Sequence, residues 1–150
     1  MRKRNAADKA ATPPTVEEIL ATFRHEAPRH PLENQVEVTG ETYYVNGIKR
    51  VFAQQGLPIS ATGSTLEMVT CVLVPNPWNP HDPNAIAVCV DGHQVGHLPA
   101  EICPDYAPRL IQLARRETLA TGETRIWAKT DGGMVRARVT ILIPEAYQFG

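Results

Sequence analysis

The stretch Asn79-Pro80-His81-Asp82-Pro83-Asn84-Ala85-Ile86-Ala87-Val88, continued by Asp91-Gly92-His93-Gln94-Val95-Gly96-His97-Leu98-Pro99, decides how this chain is read. Prolines at 77, 80 and 83 recur every three residues, with another at 75. Each ring fixes its own φ and pushes the residue before it toward extended geometry. Such a segment loses little entropy on ordering. It holds Trp78, Asn79, His81 and Asp82 on a stiff polar loop, the kind of surface feature on which binding residues concentrate. Beyond it, residues 85–90 and 93–98 read as the two arms of a hairpin joined by Asp91-Gly92, a pair that favours a two-residue type I′ hairpin turn. Simple alternation puts Ile86, Val88, Val90, His93, Val95 and His97 on one face of that hairpin.

Outward from the hairpin, residues 65–74 are rich in β-branched side chains and predict a strand running into the loop. Residues 119–130 and 134–143 predict a second hairpin around Asp131-Gly132-Gly133. In its second arm Val135, Val139, Ile141 and Ile143 share one parity while Arg136 and Arg138 share the other, the pattern of a half-buried strand. Residues 36–45, with Val36 and Val38, read as a further strand. Residues 47–55 read as a short helix with Ile48, Val51 and Phe52 on one side and Gly56 as its stop. Residues 100–117 predict a helix, firm from Asp105, that turns Leu110, Ile111 and Leu113 inward. The sum is a mainly β chain of about six strands with two or three inserted helices, arranged as a small closed or nearly closed barrel.

Residues 1–34 read as a flexible basic tail followed by a short amphipathic helix, and residues 35–150 as the domain. Thr15 can cap that helix, with Glu17 and Glu18 in its first turn. Its apolar side, Val16, Ile19, Leu20 and Phe23, either packs on the domain or binds a partner, and Pro28 ends it.

With 150 residues the chain suits one domain and can bury a core without disulfides. The formal net charge is −1, and residues 35–150 carry nine Lys/Arg against eleven Asp/Glu. A protein that coats long nucleic acid is usually basic, because phosphate neutralisation dominates its affinity. The charge balance argues against extensive duplex binding and permits a small site for a strand end. An odd set of cysteines, Cys71, Cys89 and Cys103, without a signal-like apolar segment predicts reduced thiols and a cytoplasmic setting. No apolar run approaches the length of a membrane span.

The two-part pattern N-P-x-D-x-N-A-(I/V)-x-V, then G-x-x-V-G-(H/Y)-L-P, resembles the HIRAN domain over residues 36–143. That family occurs at the N-terminus of fork-remodelling Swi/Snf-type helicases and as a near-stand-alone module in bacteria and phages. The resemblance implies an OB-like barrel and a non-catalytic module that binds single-stranded DNA at a free 3′-hydroxyl, in the setting of repair or replication. By motif, Tyr43 matches an aromatic that stacks on the terminal base, and His81 occupies the place of a second aromatic that clamps it. Asp82 matches the acid that accepts from the 3′-hydroxyl, Asn79 a contact to the backbone, and His97 a residue that approaches a phosphate. Two positions depart from the pattern: Thr42 stands where described members carry an arginine, and His81 where they carry a larger ring.

Each of these residues also has a plainer reading. Asn and Asp before proline stabilise turns through their own side chains. One of two adjacent tyrosines can be core, and a histidine at the end of an apolar stripe can be a satisfied boundary residue. Cys89-x3-His93-x3-His97 has metal-like spacing, but hairpin parity turns Cys89 away from both histidines, and zinc needs converging ligands. His81-Asp82 lacks an activated nucleophile. No metal, cofactor or catalytic residue is expected. The competing reading is a protein-interaction module on the same fold that has lost the DNA-end pocket and docks through the 15–25 helix.

Overall fold

Two long strands with alternating burial set the architecture. The computed structural model describes residues 13–149. In chain order these form α1 (Val16–Thr22), β1 (Arg24–Glu26), β2 (Asn34–Glu37), a 3₁₀ turn (Glu41–Tyr44), α2 (Val45–Gln55), β3 (Ser64–Pro75), β4 (Ile86–Val90), β5 (His93–His97), α3 (Cys103–Arg115), β6 (Thr118–Asp131), β7 (Met134–Ile143) and a final 3₁₀ turn (Ala146–Gln148). The strands make one seven-stranded sheet in the order β2-β7-β6-β3-β4-β5, with β1 added in parallel to β6. In β7 Val139, Ile141 and Ile143 are buried while Arg136 and Arg138 lie on the opposite, outer face, as their parity predicts.

The sheet curls until its two edges meet. Just past β2, the Val38 amide still donates to Val139 of β7 (2.9 Å). The next residue, Thr39, pairs with His97 of β5 instead: its amide donates to the His97 carbonyl (2.9 Å), and the His97 amide donates back (2.8 Å). The chain therefore crosses from one edge of the sheet to the other within a single residue and gives an OB-like small barrel. Gly96 makes the approach possible. A Cβ there would lie 2.4 Å from Val38 Cγ1 and 2.6 Å from the Thr39 carbonyl oxygen.

The barrel interior is filled by Leu73, Ile86, Val88, Val95, Ile126, Val139 and Ile141 and closed by Phe52 of α2 and Leu110 of α3. Burying each large apolar side chain is worth about 1.5–3 kcal/mol. A second, smaller cluster lies on the outer face, where Ile19 and Leu20 of α1 cover Val72, Val74, Ala87, Cys89 and Leu119. With 7 residues, α1 is too short to persist alone. It is held by that packing and by Thr15 Oγ1, which accepts from the Glu18 amide at 3.1 Å.

Four expectations are corrected. The strand predicted over 36–45 pairs as β2 and then breaks at Gly40, whose left-handed φ of 82° turns the chain into the Glu41–Tyr44 3₁₀ turn. That turn feeds straight into α2, which starts at Val45 rather than at residue 47. The N-terminal helix stops at Thr22, well before Pro28, because Arg24–Glu26 leaves it to pair with Thr118–Ala120 as a seventh strand. Finally, α3 begins at Cys103, so Pro108 lies inside it and the Pro104 carbonyl loses its helical donor. Both prolines are exposed, so water can meet that carbonyl. Most of the predicted tail, residues 1–12, lies outside the described residues.

Candidate nucleic-acid interface

The edge crossing at Thr39 anchors the 3₁₀ turn that comes after it. Over that turn successive side chains point in different directions, so the adjacent tyrosines part company. Tyr44 turns inward: its ring meets His97 edge-on, with centroids 5.4 Å apart at 67°, and its hydroxyl lies 3.5 Å from His97 Nε2. Tyr43 points out and is 89% exposed. Thr42 is exposed beside it, and burial pushes the neighbouring Glu41 carboxyl above its usual range. The result is a bare aromatic face on a backbone anchored to β5.

His97 is half-buried between Gln94 and Tyr44. Gln94 Nε2 lies 3.3 Å from the Gly96 carbonyl, which orients its amide nitrogen. The same nitrogen lies 3.2 Å from His97 Nε2. Nε2 therefore faces both the Gln94 amide and the Tyr44 hydroxyl, and a ring that accepts from that amide carries its proton on Nδ1. Burial of the imidazole lowers its pKa from the ordinary value of 6.5. Burial thus disfavours the charged imidazolium.

The proline-rich loop joins β3 to β4 and is braced by its own polar groups. The Asn76 amide donates to Ala85 (2.9 Å) across the loop neck, and the Asn79 amide to Asn76 (3.1 Å). Asn79 Oδ1 accepts from the amides of His81 (2.8 Å) and Asp82 (3.2 Å). Asp82 Oδ1 accepts from the Asn84 amide at 2.9 Å. Asn79 is therefore a turn-forming residue in this structure. Among the described residues only this one Asp82 carboxylate oxygen, Oδ1, is hydrogen-bonded. His81 and Trp78 are exposed at the tip.

Register brings the loop and the tyrosine turn to one end of the barrel. Pro75 pairs with Ile86 across the loop neck. Ala87 pairs with His97, and the Leu98 amide donates to Ile86 at 3.0 Å. The loop therefore leaves and returns beside the end of β5 where Thr39, Tyr44 and His97 converge. Among the described residues no ring contact joins Tyr43 to His81 or Trp78.

A family model described as HIRAN domain matches residues 33–142, a span that holds both halves of the loop-and-hairpin motif and the tyrosine turn. The chain belongs to the HIRAN domain family. HIRAN domains are DNA-binding domains. Two solved structures are similar to this HIRAN chain. The HIRAN domain of human HLTF shares 18% identity at a TM-score of 0.39, the match covering 74% of this chain and 75% of that one. A protein from Lactobacillus plantarum shares 16% identity at a TM-score of 0.40, covering 74% and 93%. No curated protein matches by sequence.

Some of what surrounds the site in this HIRAN domain escaped the sequence reading. Gln94 was hidden by a register shift between Val88 and Cys89: Val88 pairs with Gly96, and Cys89 with Gln94. The extra residue breaks the simple alternation: Gln94 and His97 pair opposite Cys89 and Ala87, so His97 lies on their face and not, as alternation predicts, on that of Ile86, Val88 and Val90. The apolar side of α1 is committed to the sheet, with Ile19 and Leu20 4% and 7% exposed. The three cysteines are buried as free thiols, and burial pushes Cys71 up to about 11 and Cys89 up to about 12. They stay protonated at neutral pH.

Proposed function

We propose that this HIRAN domain is a binding module for the end of a single DNA strand, of the kind exposed in repair or replication. The observation that carries the reading is Tyr43, a ring 89% exposed on a turn anchored through Thr39 and Tyr44 to the end of β5. Stacking of a terminal base on such a ring contributes about 1–3 kcal/mol without sequence preference. His81, exposed on the braced loop at the same end, is the second stacking surface, smaller than a phenol or indole. Asp82 Oδ2 accepts from the 3′-hydroxyl. A carboxylate accepts from a hydroxyl and repels a phosphate, so this one residue discriminates a free end from a continuing strand. Thr42 and the Nδ1–H of His97 contact the backbone as neutral donors, and Asn79 serves indirectly by shaping the loop.

Two variants test this. Tyr43→Ala removes the platform from an exposed position and should weaken binding of a short oligothymidine while leaving the thermal midpoint unchanged. Asp82→Asn keeps an oxygen for the Asn84 amide but removes the charge, so it should erase discrimination between 3′-hydroxyl and 3′-phosphate ends without unfolding the loop. Binding indifferent to both variants would overturn the proposal.

A further inference from the structure

A cavity of about 420 Å³ lies away from this site, between β1, the 27–30 segment, the end of α3 and the C-terminal 3₁₀ turn. Its size falls within the range of small-ligand sites, roughly 300–1,000 Å³. Three arginines line it, Arg24, Arg29 and Arg116, against one carboxylate, Glu26. That is a local excess of positive charge in a chain whose net charge is −1. Glu26 is shared at long range, 3.4 Å from Arg24 Nη2 and 3.6 Å from Arg29 Nη2, so each guanidinium keeps most of its five donors. Arg24 Nη2 also reaches the buried Thr118 hydroxyl at 3.4 Å. Arg116 makes no side-chain hydrogen bond or ion pair among the described residues.

The arginine side chains sit at the open rim, Arg24 73% and Arg29 87% exposed, over a fixed backbone frame. The β1 backbone is fixed on β6, with Arg24 opposite Thr118. On the far side the Phe149 ring packs edge-on against Tyr106 (5.8 Å), and its carbonyl accepts from Arg109 Nη1 at 2.8 Å. Residues 24–30 precede the HIRAN match and residues 144–149 lie beyond it, so much of the cavity belongs to this chain's own flanks. Planar guanidinium forks recognise phosphate oxygens in pairs.

We infer that this cavity binds a phosphate ester of about nucleotide size, as a free nucleotide or as part of a nucleic-acid strand. Arg24, Arg29 and Arg116 hold the phosphate, and Glu26 is the competing internal anion that the phosphate displaces. The inference stands apart from the strand-end site. The test tracks backbone amide shifts of the full chain by NMR during titration with thymidine 5′-monophosphate and, separately, with a 3′-phosphorylated oligothymidine. Saturable shifts at Arg24–Glu26 and at residues 118–120 are expected. Shifts with the mononucleotide identify a free phosphate ester as sufficient, and shifts with the oligonucleotide alone identify a strand. The folded variant Arg24→Gln/Arg29→Gln should weaken the cavity response roughly tenfold or more, whereas Glu26→Gln should strengthen it. Tyr43→Ala should leave it unchanged, which separates this site from the strand-end site. No shift at these amides with either probe, or shifts unaltered in the double arginine variant, would overturn the inference.

Discussion

Two adjacent tyrosines show how a single residue's surroundings decide its use. Tyr44 is anchored against His97, while Tyr43 keeps its ring in solvent. Replacing Tyr43 by Ala should cost about 1–3 kcal/mol of strand-binding free energy and almost nothing in stability, read by anisotropy and thermal melting. His97 carries a second expectation. Its folded pKa lies below the ordinary 6.5 because the ring is buried. The unfolded chain therefore takes up the proton first. The stability contributed by the neutral ring is complete above the unfolded pKa and is lost as pH falls through the folded value. An NMR titration of the ring should give a midpoint below 6.5, and acidification should destabilise the wild type more than His97→Gln. A midpoint above the ordinary value would mean that Gln94 and Tyr44 do not hold the ring as described.

At the scale of elements, the β4–β5 hairpin does the positioning. Asp91 and Gly92 both have positive φ, 51° and 84°, as a type I′ turn requires. Gly96 then admits Thr39 against the end of β5. Gly96→Ala should force that crossing apart at a cost of roughly 1–3 kcal/mol, seen as a lower melting temperature and faster exchange of the Thr39 and His97 amides. An unchanged exchange rate at Thr39 would show that the closure does not depend on Gly96. The Asp91-Gly92 turn and the β6–β7 pair were legible in the sequence because turn chemistry and alternation are local signals, whereas the faces of the β4–β5 hairpin were not, because its bulge breaks the alternation. The bend at Gly40 was not, since Thr39 before it and Thr42, Tyr43 and Tyr44 after it all favour strands. Nor was β1, three polar residues whose pairing partner lies some ninety positions away. At the site, the proline spacing placed His81 and Asp82 on a loop, as the structure has them, whereas Tyr43 was read into a strand and lies on a 3₁₀ turn. The bracing of Asn79 within its own loop and the reach of Gln94 past a bulge depend on register, which composition does not reveal.

The whole molecule is a barrel with a helix on its outer face, and that helix is part of the fold. Ile19→Ala should destabilise the chain by about 2–5 kcal/mol in urea unfolding, because α1 is the cover for Val72, Val74 and Leu119. A negligible loss would return the apolar face of α1 to the role of a docking surface. Overall charge sets a further limit. With a net charge of −1 and neutral donors at Thr42 and His97, strand binding should weaken only gently with salt, by about one to three phosphates' worth of counterion release. The most direct measurement is fluorescence anisotropy of a labelled short oligothymidine with a free 3′-hydroxyl, set against the same strand with a 3′-phosphate at low salt. Tight binding of the hydroxyl-ended strand alone is the expected result; equal binding of both, or of neither, would contradict the reading of Tyr43 and Asp82 as a strand-end site.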